Sequence, residues 1–108
     1  MTSVVRSPAA ERDLEDIWLT IAADNPVAAT RMVRAIGAKI NSLADHPRHG
    51  PRRSDIRPAT RMLVEAPYLV LYETHPDTDE VPVDAIEVVR VVDGRRDLTS
   101  LFGYVDTP

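Results

Sequence analysis

Arginines and tyrosines are the side chains best equipped for chemistry in this sequence. Arg90, Arg95 and Arg96 cluster towards the C-terminal end, and Arg61 precedes the pair Tyr68 and Tyr72. A guanidinium is a planar fork of donors that grips a carboxylate or phosphate bidentately. Such a cluster therefore suits an acidic partner, and it equally suits internal ion pairs: Arg96 near Asp97, Arg61 with Glu65 or Glu73. With a pKa above about 12, a guanidinium alone is a poor general base. Tyr68 and Tyr72 share strand parity, so both side chains fall on one sheet face, with Leu69 and Leu71 on the other. If that face is left open, the tyrosines become a partner surface, because Tyr is favoured at interfaces.

Other chemistries find little support. The chain has no cysteine, which removes thiolate nucleophiles, thiolate metal sites and disulfides. His46 and His49 lie in a proline-rich loop without a supporting carboxylate pattern, and His75 stands apart, so neither metal nor cofactor is expected. The four glycines are dispersed, unlike a phosphate-cradling loop. Glu11, Asp13, Glu15 and Asp16 read as a solvated helix face that suits a helix N-terminus. No catalytic residue is assigned.

Length and composition set the frame for these residues. At 108 residues, 44% hydrophobic and 28% charged, residues 1–108 are expected to form one domain. The formal net charge of -4 argues against direct nucleic-acid binding, which draws its affinity from a basic excess. Charge is uneven: Arg48 to Arg61 holds five arginines against Asp55, and Asp77 to Glu87 holds five acids, a dipole able to orient a partner. No apolar run approaches the roughly 20 residues that span a bilayer, and the N-terminus lacks a signal-peptide pattern. A cytoplasmic protein away from membranes is expected.

Local signals then give the elements. Val4 and Val5 predict a short strand. Ser7-Pro8 predicts an N-cap and first helical residue, followed by Leu14, Ile17, Trp18, Ile21 and Ala22 at helical spacing as far as Asp24. Trp18, on that stripe, is expected to pack on the sheet. Asn25-Pro26 repeats the start signal, and Ala29, Met32, Val33, Ile36, Ile40 and Leu43 carry a second helix to Asp45. Gly37 within it marks a close packing contact. After a loop at 46–51, the β-branched and aromatic runs 60–65, 68–74 and 83–92 predict an antiparallel meander. The order β-α-α-β-β-β makes an α+β fold in which an αα-hairpin covers a twisted sheet. Arg95 to Phe102 reads as a strand end or a helical turn.

These pieces resemble the ParE/RelE toxin superfamily when taken in order. The matching residues are Ser7-Pro8-Ala9-Ala10, Asp13-Leu14 and Ile17-Trp18, then Asn25-Pro26 with Ala28-Ala29, then Leu43-Ala44-Asp45-His46-Pro47. Gly50, Arg61 and Pro67-Tyr68-Leu69-Val70-Leu71-Tyr72 follow, and finally Val89-Arg90-Val91 and Gly94-Arg95-Arg96-Asp97-Leu98. The resemblance implies a RelE/ParE-like fold and a toxin of a type II toxin–antitoxin system. It further implies a ParD-like antitoxin partner and, for ParE-type members, DNA gyrase as the target. RelE-type members instead cut mRNA on the ribosome. Leu69 stands where many nucleases of the superfamily carry a basic residue, and Phe102 has no hydroxyl, so the ParE type is favoured over the ribonuclease; Tyr104, nearby, does carry one. Asp93 replaces the His that many members have there. Target contacts are assigned to Arg61, Tyr68, Arg90, Arg95 and Arg96. Antitoxin contacts are assigned to Trp18, Ile21, Met32, Ile36, Tyr72 and Phe102. The remaining alternative is a non-toxic relic that only binds antitoxin.

Overall fold

The structure, a computed structural model, describes residues 2–96. Strand β1 (Ser3–Arg6) leads into helices α1 (Pro8–Ala22) and α2 (Pro26–Ser42), and strands β2 (Arg61–Glu65), β3 (Tyr68–His75) and β4 (Ala85–Asp93) complete the order. Both helices begin as the cap signals require. Ser7 Oγ accepts from Ala10 N and Asn25 Oδ1 accepts from Ala28 N, each at 3.0 Å, with Pro at the first helical position. The helices end slightly earlier than expected, at Ala22 before Asp24 and at Ser42 before Asp45. Residues 43–45 close α2 as hydrogen-bonded turns, with Leu43, Ala44 and Asp45 N–H groups bonding three residues back.

The sheet order is β1-β4-β3-β2. β2, β3 and β4 form the expected antiparallel meander, whereas β1 joins parallel to β4, pairing Ser3–Arg6 with Ala85–Val88. The sheet is therefore mixed. A register shift between Leu71 and Tyr72 leaves Val89 as an extra residue in β4. β1 ends just there, and the chain turns into α1, with Ser7 N donating to Val88 O at 2.9 Å and Ser7 Oγ to Val89 O at 2.8 Å.

The hairpin buries Ala10, Leu14 and Ile17 from α1 and Ala29, Ile36 and Ile40 from α2. Most of these meet Leu63, Tyr68, Val70, Tyr72, Ile86, Val88 and Val91 in one cluster. Each large side chain withdrawn this way contributes about 1.5–3 kcal/mol. The tyrosine face of β3 is thus the covered one, so the condition under which Tyr68 and Tyr72 form a partner surface is not met. Gly37 does not mark a tight backbone contact: an added Cβ would meet only the Arg6 guanidinium, at 3.6 Å. No helix among the described residues is long and apolar enough to cross a membrane.

Candidate partner-binding surface

The loop before β2 contains a dense set of polar contacts organised by Arg61. Its side chain is buried, and Nη1 donates to Gly50 O at 2.9 Å while Nη2 donates to Asp79 Oδ1 at 2.8 Å. Gly50 N in turn donates to Tyr72 Oη at 2.8 Å. Gly50 has no room for a side chain, since a Cβ would lie 2.5 Å from Met62 O and 2.9 Å from Tyr72 Cε1. Burial pushes the Tyr72 hydroxyl above its ordinary value, and the Gly50 amide and Arg61 pull the other way. Arg52 pairs with Asp77 at 2.9 Å, and Arg48 donates to Thr78 O and to Val81 O. The basic 48–61 segment and the acidic loop 76–84 therefore clasp each other, and the expected dipole is largely neutralised internally. Arg61 belongs to this clasp, with Asp79 as its carboxylate in place of Glu65 or Glu73.

A second arginine–aspartate assembly lies on β4, where Arg90 stands opposite Leu71 of β3. Asp13, on α1, accepts from Arg90 Nε at 2.7 Å and Nη2 at 2.9 Å, and its Oδ2 also accepts from Val91 N at 2.9 Å. This bidentate grip holds the Arg90 guanidinium's pKa above its ordinary value. It also satisfies an N–H group of β4 beyond the end of β1. Asp13 is thus a bracket between helix and sheet, and the reading of it as part of a solvated face is corrected. Next to the pair opens a cleft of about 280 Å³, lined by Asp13, Asp16, Tyr68, Arg90, Asp93 and Arg96 among others. Asp93 accepts from Arg95 Nε at 2.9 Å and Nη2 at 2.6 Å, chiefly these bonds holding its carboxyl down at about 2. Arg96 is exposed and makes no ion pair with a described residue.

The cleft brings together Tyr68, Arg90 and Arg96 of the target-contact set, with Arg95 paired to its Asp93; Arg61 lies across β3 in the clasp, opposite Tyr72. Tyr68 is mostly core, with 9% of its surface exposed. Guanidiniums, carboxylates and one phenol equip the cleft for ion-pair recognition of another macromolecule. Arg90 is already engaged by Asp13, which leaves Arg96 as the cleft's cation without an ion pair among the described residues.

The antitoxin-contact set divides differently. Trp18, expected in the core, is 37% exposed on the outer hairpin face and donates through Nε1 to Thr30 Oγ1 at 3.2 Å. Its neighbour Ile17 takes the core position. Thr30 also lines a shallow groove with Pro26, Val27, Arg31 and Arg34. Leu19 and Val27 are exposed nearby, and neither was singled out from the sequence. Ile21 and Met32 are partly buried at the core's margin. Ile36 and Tyr72 are fully buried and present no surface to a partner, because hairpin and sheet close over them. Phe102, with Asp97 and Tyr104, lies outside the described residues.

Residues 4–98 match the family described as ParE toxin of the type II toxin–antitoxin system, parDE. A curated relative, Toxin ParE3 of Caulobacter vibrioides, is 28% identical over 104 residues, covering 95% of this chain and 97% of that protein. Among solved structures, a chain of the chromosomal ParDE system from P. aeruginosa superposes with a TM-score of 0.68 at 22% identity. That likeness covers 86% of this chain and 96% of the other, and at this identity it speaks for the fold.

Proposed function

Because this chain belongs to the ParE toxin family of type II toxin–antitoxin systems, we propose that it acts in the cytoplasm as an inhibitor of DNA gyrase, neutralised by a ParD-like antitoxin. The single observation that carries the target side is the cleft beside Tyr68. There Asp13 fixes Arg90 in place while Arg96 stays exposed and open to an acidic group. The antitoxin side rests on the apolar outer face of the hairpin. Trp18, Leu19 and Val27 are exposed there beside a groove, a surface suited to an amphipathic helical segment. Of the residues assigned from the sequence, Trp18 is exposed on this face, while Ile21 and Met32 are partly buried against the core.

A supercoiling assay with purified protein tests the target. Inhibition at micromolar toxin is expected, with Arg96→Ala raising the required concentration at least about tenfold, the loss of one charge-assisted contact. The same assay with the antitoxin added at equal amounts should restore supercoiling. Intact gyrase activity together with mRNA cut inside codons would assign the chain to the ribosome-dependent nucleases instead.

A further inference from the structure

The sheet face turned away from the hairpin carries a polar group outside the surfaces described above. Antiparallel register sets Glu73 of β3 directly opposite Glu87 of β4, and His75 lies two residues further along β3, on the same face. One imidazole nitrogen and two carboxylate oxygens lie within 4.8 Å of one another. His75 Nε2 stands 3.8 Å from Glu87 Oε1. Like charges directly opposite on neighbouring strands are destabilising, and no arginine or lysine pairs with either glutamate among the described residues. The residue facing His75 across the ladder is Ala85, whose methyl group leaves space above the strands. On the far side of Glu87 stands Val5 of β1, which brings no competing cation.

We propose that Glu73, His75 and Glu87 form a binding site for a divalent transition-metal ion, of which Zn²⁺ fits best. Two carboxylates cancel the charge of the ion, and the ion removes their mutual repulsion. The imidazole selects a borderline metal over Mg²⁺ or Ca²⁺, which prefer oxygen alone. Zn–N and Zn–O bonds of about 2.0–2.2 Å put tetrahedral ligand atoms about 3.4 Å apart. The three ligand atoms, within 4.8 Å of one another and 3.8 Å apart for His75 and Glu87, reach that spacing by side-chain rotation. The fourth position is open to water. Sequence spacing did not reveal the site, because Glu87 reaches it only through the β3–β4 register. The site stands at the opposite end of β3 from the Tyr68 cleft and does not depend on the gyrase reading.

Calorimetric titration of the untagged, chelator-treated full chain with ZnCl₂ at neutral pH tests this. One equivalent should bind with micromolar affinity and raise the thermal midpoint by a few degrees. Excess MgCl₂ should not displace it. H75A and E87Q should each weaken binding at least about tenfold, with unchanged circular dichroism. The double variant H46A/H49A removes the other histidine pair, whose rings lie 6.4 Å apart, and should bind as the parent does. E73Q supplies a readout that does not require the parent's stability: without metal it should be no less stable, and its midpoint should no longer respond to zinc. Absence of binding up to millimolar zinc would overturn the proposal. So would binding that survives H75A and E87Q but disappears in H46A/H49A.

Discussion

The clasp around Arg61 and the cleft beside Arg90 are built from the same two residue types, yet they leave opposite amounts of charge for a partner. In the clasp, Arg48, Arg52 and Arg61 converge on Asp77, Asp79 and the carbonyls of two loops. Every arginine of that group has an internal partner. In the cleft, Asp13 engages Arg90 and Asp93 engages Arg95, while Arg96 has no paired carboxylate among the described residues. A row of arginines is therefore a poor guide to a binding surface until the nearest carboxylates are known. Both the 48–61 segment and the C-terminal cluster are rich in arginine in the sequence. Spatial pairing is what separates them.

Substitutions should separate the two regions by their effect on stability and on function. The largest stability loss is expected for Gly50→Ala, whose methyl would collide with the Met62 carbonyl and the Tyr72 ring. Backbone on one side and a buried ring on the other leave little room to relax, so about 3 kcal/mol should be lost in urea unfolding. Arg61→Met should cost about 2–3 kcal/mol, mostly from the orphaned Gly50 carbonyl and the lost charge-assisted bonds. Asp79 is 65% exposed, so its freed charge is solvated and adds little. Asp13→Asn should cost about 1–2 kcal/mol, because the amide oxygen can accept from Arg90 or Val91 N but not from all three donors. Arg96→Ala should change stability by less than about 0.5 kcal/mol while removing most gyrase inhibition. A clasp substitution that abolished inhibition in a stably folded protein would break the comparison.

The smallest effect concerns pH. Asp93 is held at about 2 in the folded chain, below its ordinary 3.8, chiefly by Arg95. A folded value below the unfolded one contributes stability that is present above about pH 4 and is lost as pH falls towards 2. Because the group is solvent-screened, the contribution is small. Asp93→Asn should flatten the acid limb of the thermal midpoint between those values and leave the midpoint at pH 7 nearly unchanged.

Local chemistry carried much of the fold into the sequence. Ser7-Pro8 and Asn25-Pro26 specify helix starts because cap and proline act on their own neighbouring backbone. The β2–β3 connection at Ala66-Pro67 is equally local. What depended on distant partners was not legible. The parallel attachment of β1 to β4 links residues at opposite ends of the described chain, and no nearby residue announces it. Parity placed Tyr68 and Tyr72 on one face, but only the crossing of α1 and α2 decides that this face is the covered one. Trp18 and Ile17 both fit a helical stripe, and the sheet's position chooses Ile17 for the interior. Asp13 and Arg90 were each quoted as motif residues, and neither pattern alone shows that one holds the other. The Glu73–His75–Glu87 group needed a strand register.

The order β1-β4-β3-β2 carries a consequence for how the protein is made. Among the described residues, β4 is the last strand in chain order, lies in the sheet interior and is the only neighbour of the first strand. Until residues near Val88 emerge, the two helices can pair but have only the β2–β3 hairpin beneath them, and β1 waits without a ladder partner. Closing contacts across most of the chain carries a loop-entropy cost and slows folding. A toxin wired in this way completes its sheet only after residues 85–93 have been made, so fragments that stop short of them lack the Asp13–Arg90 bracket.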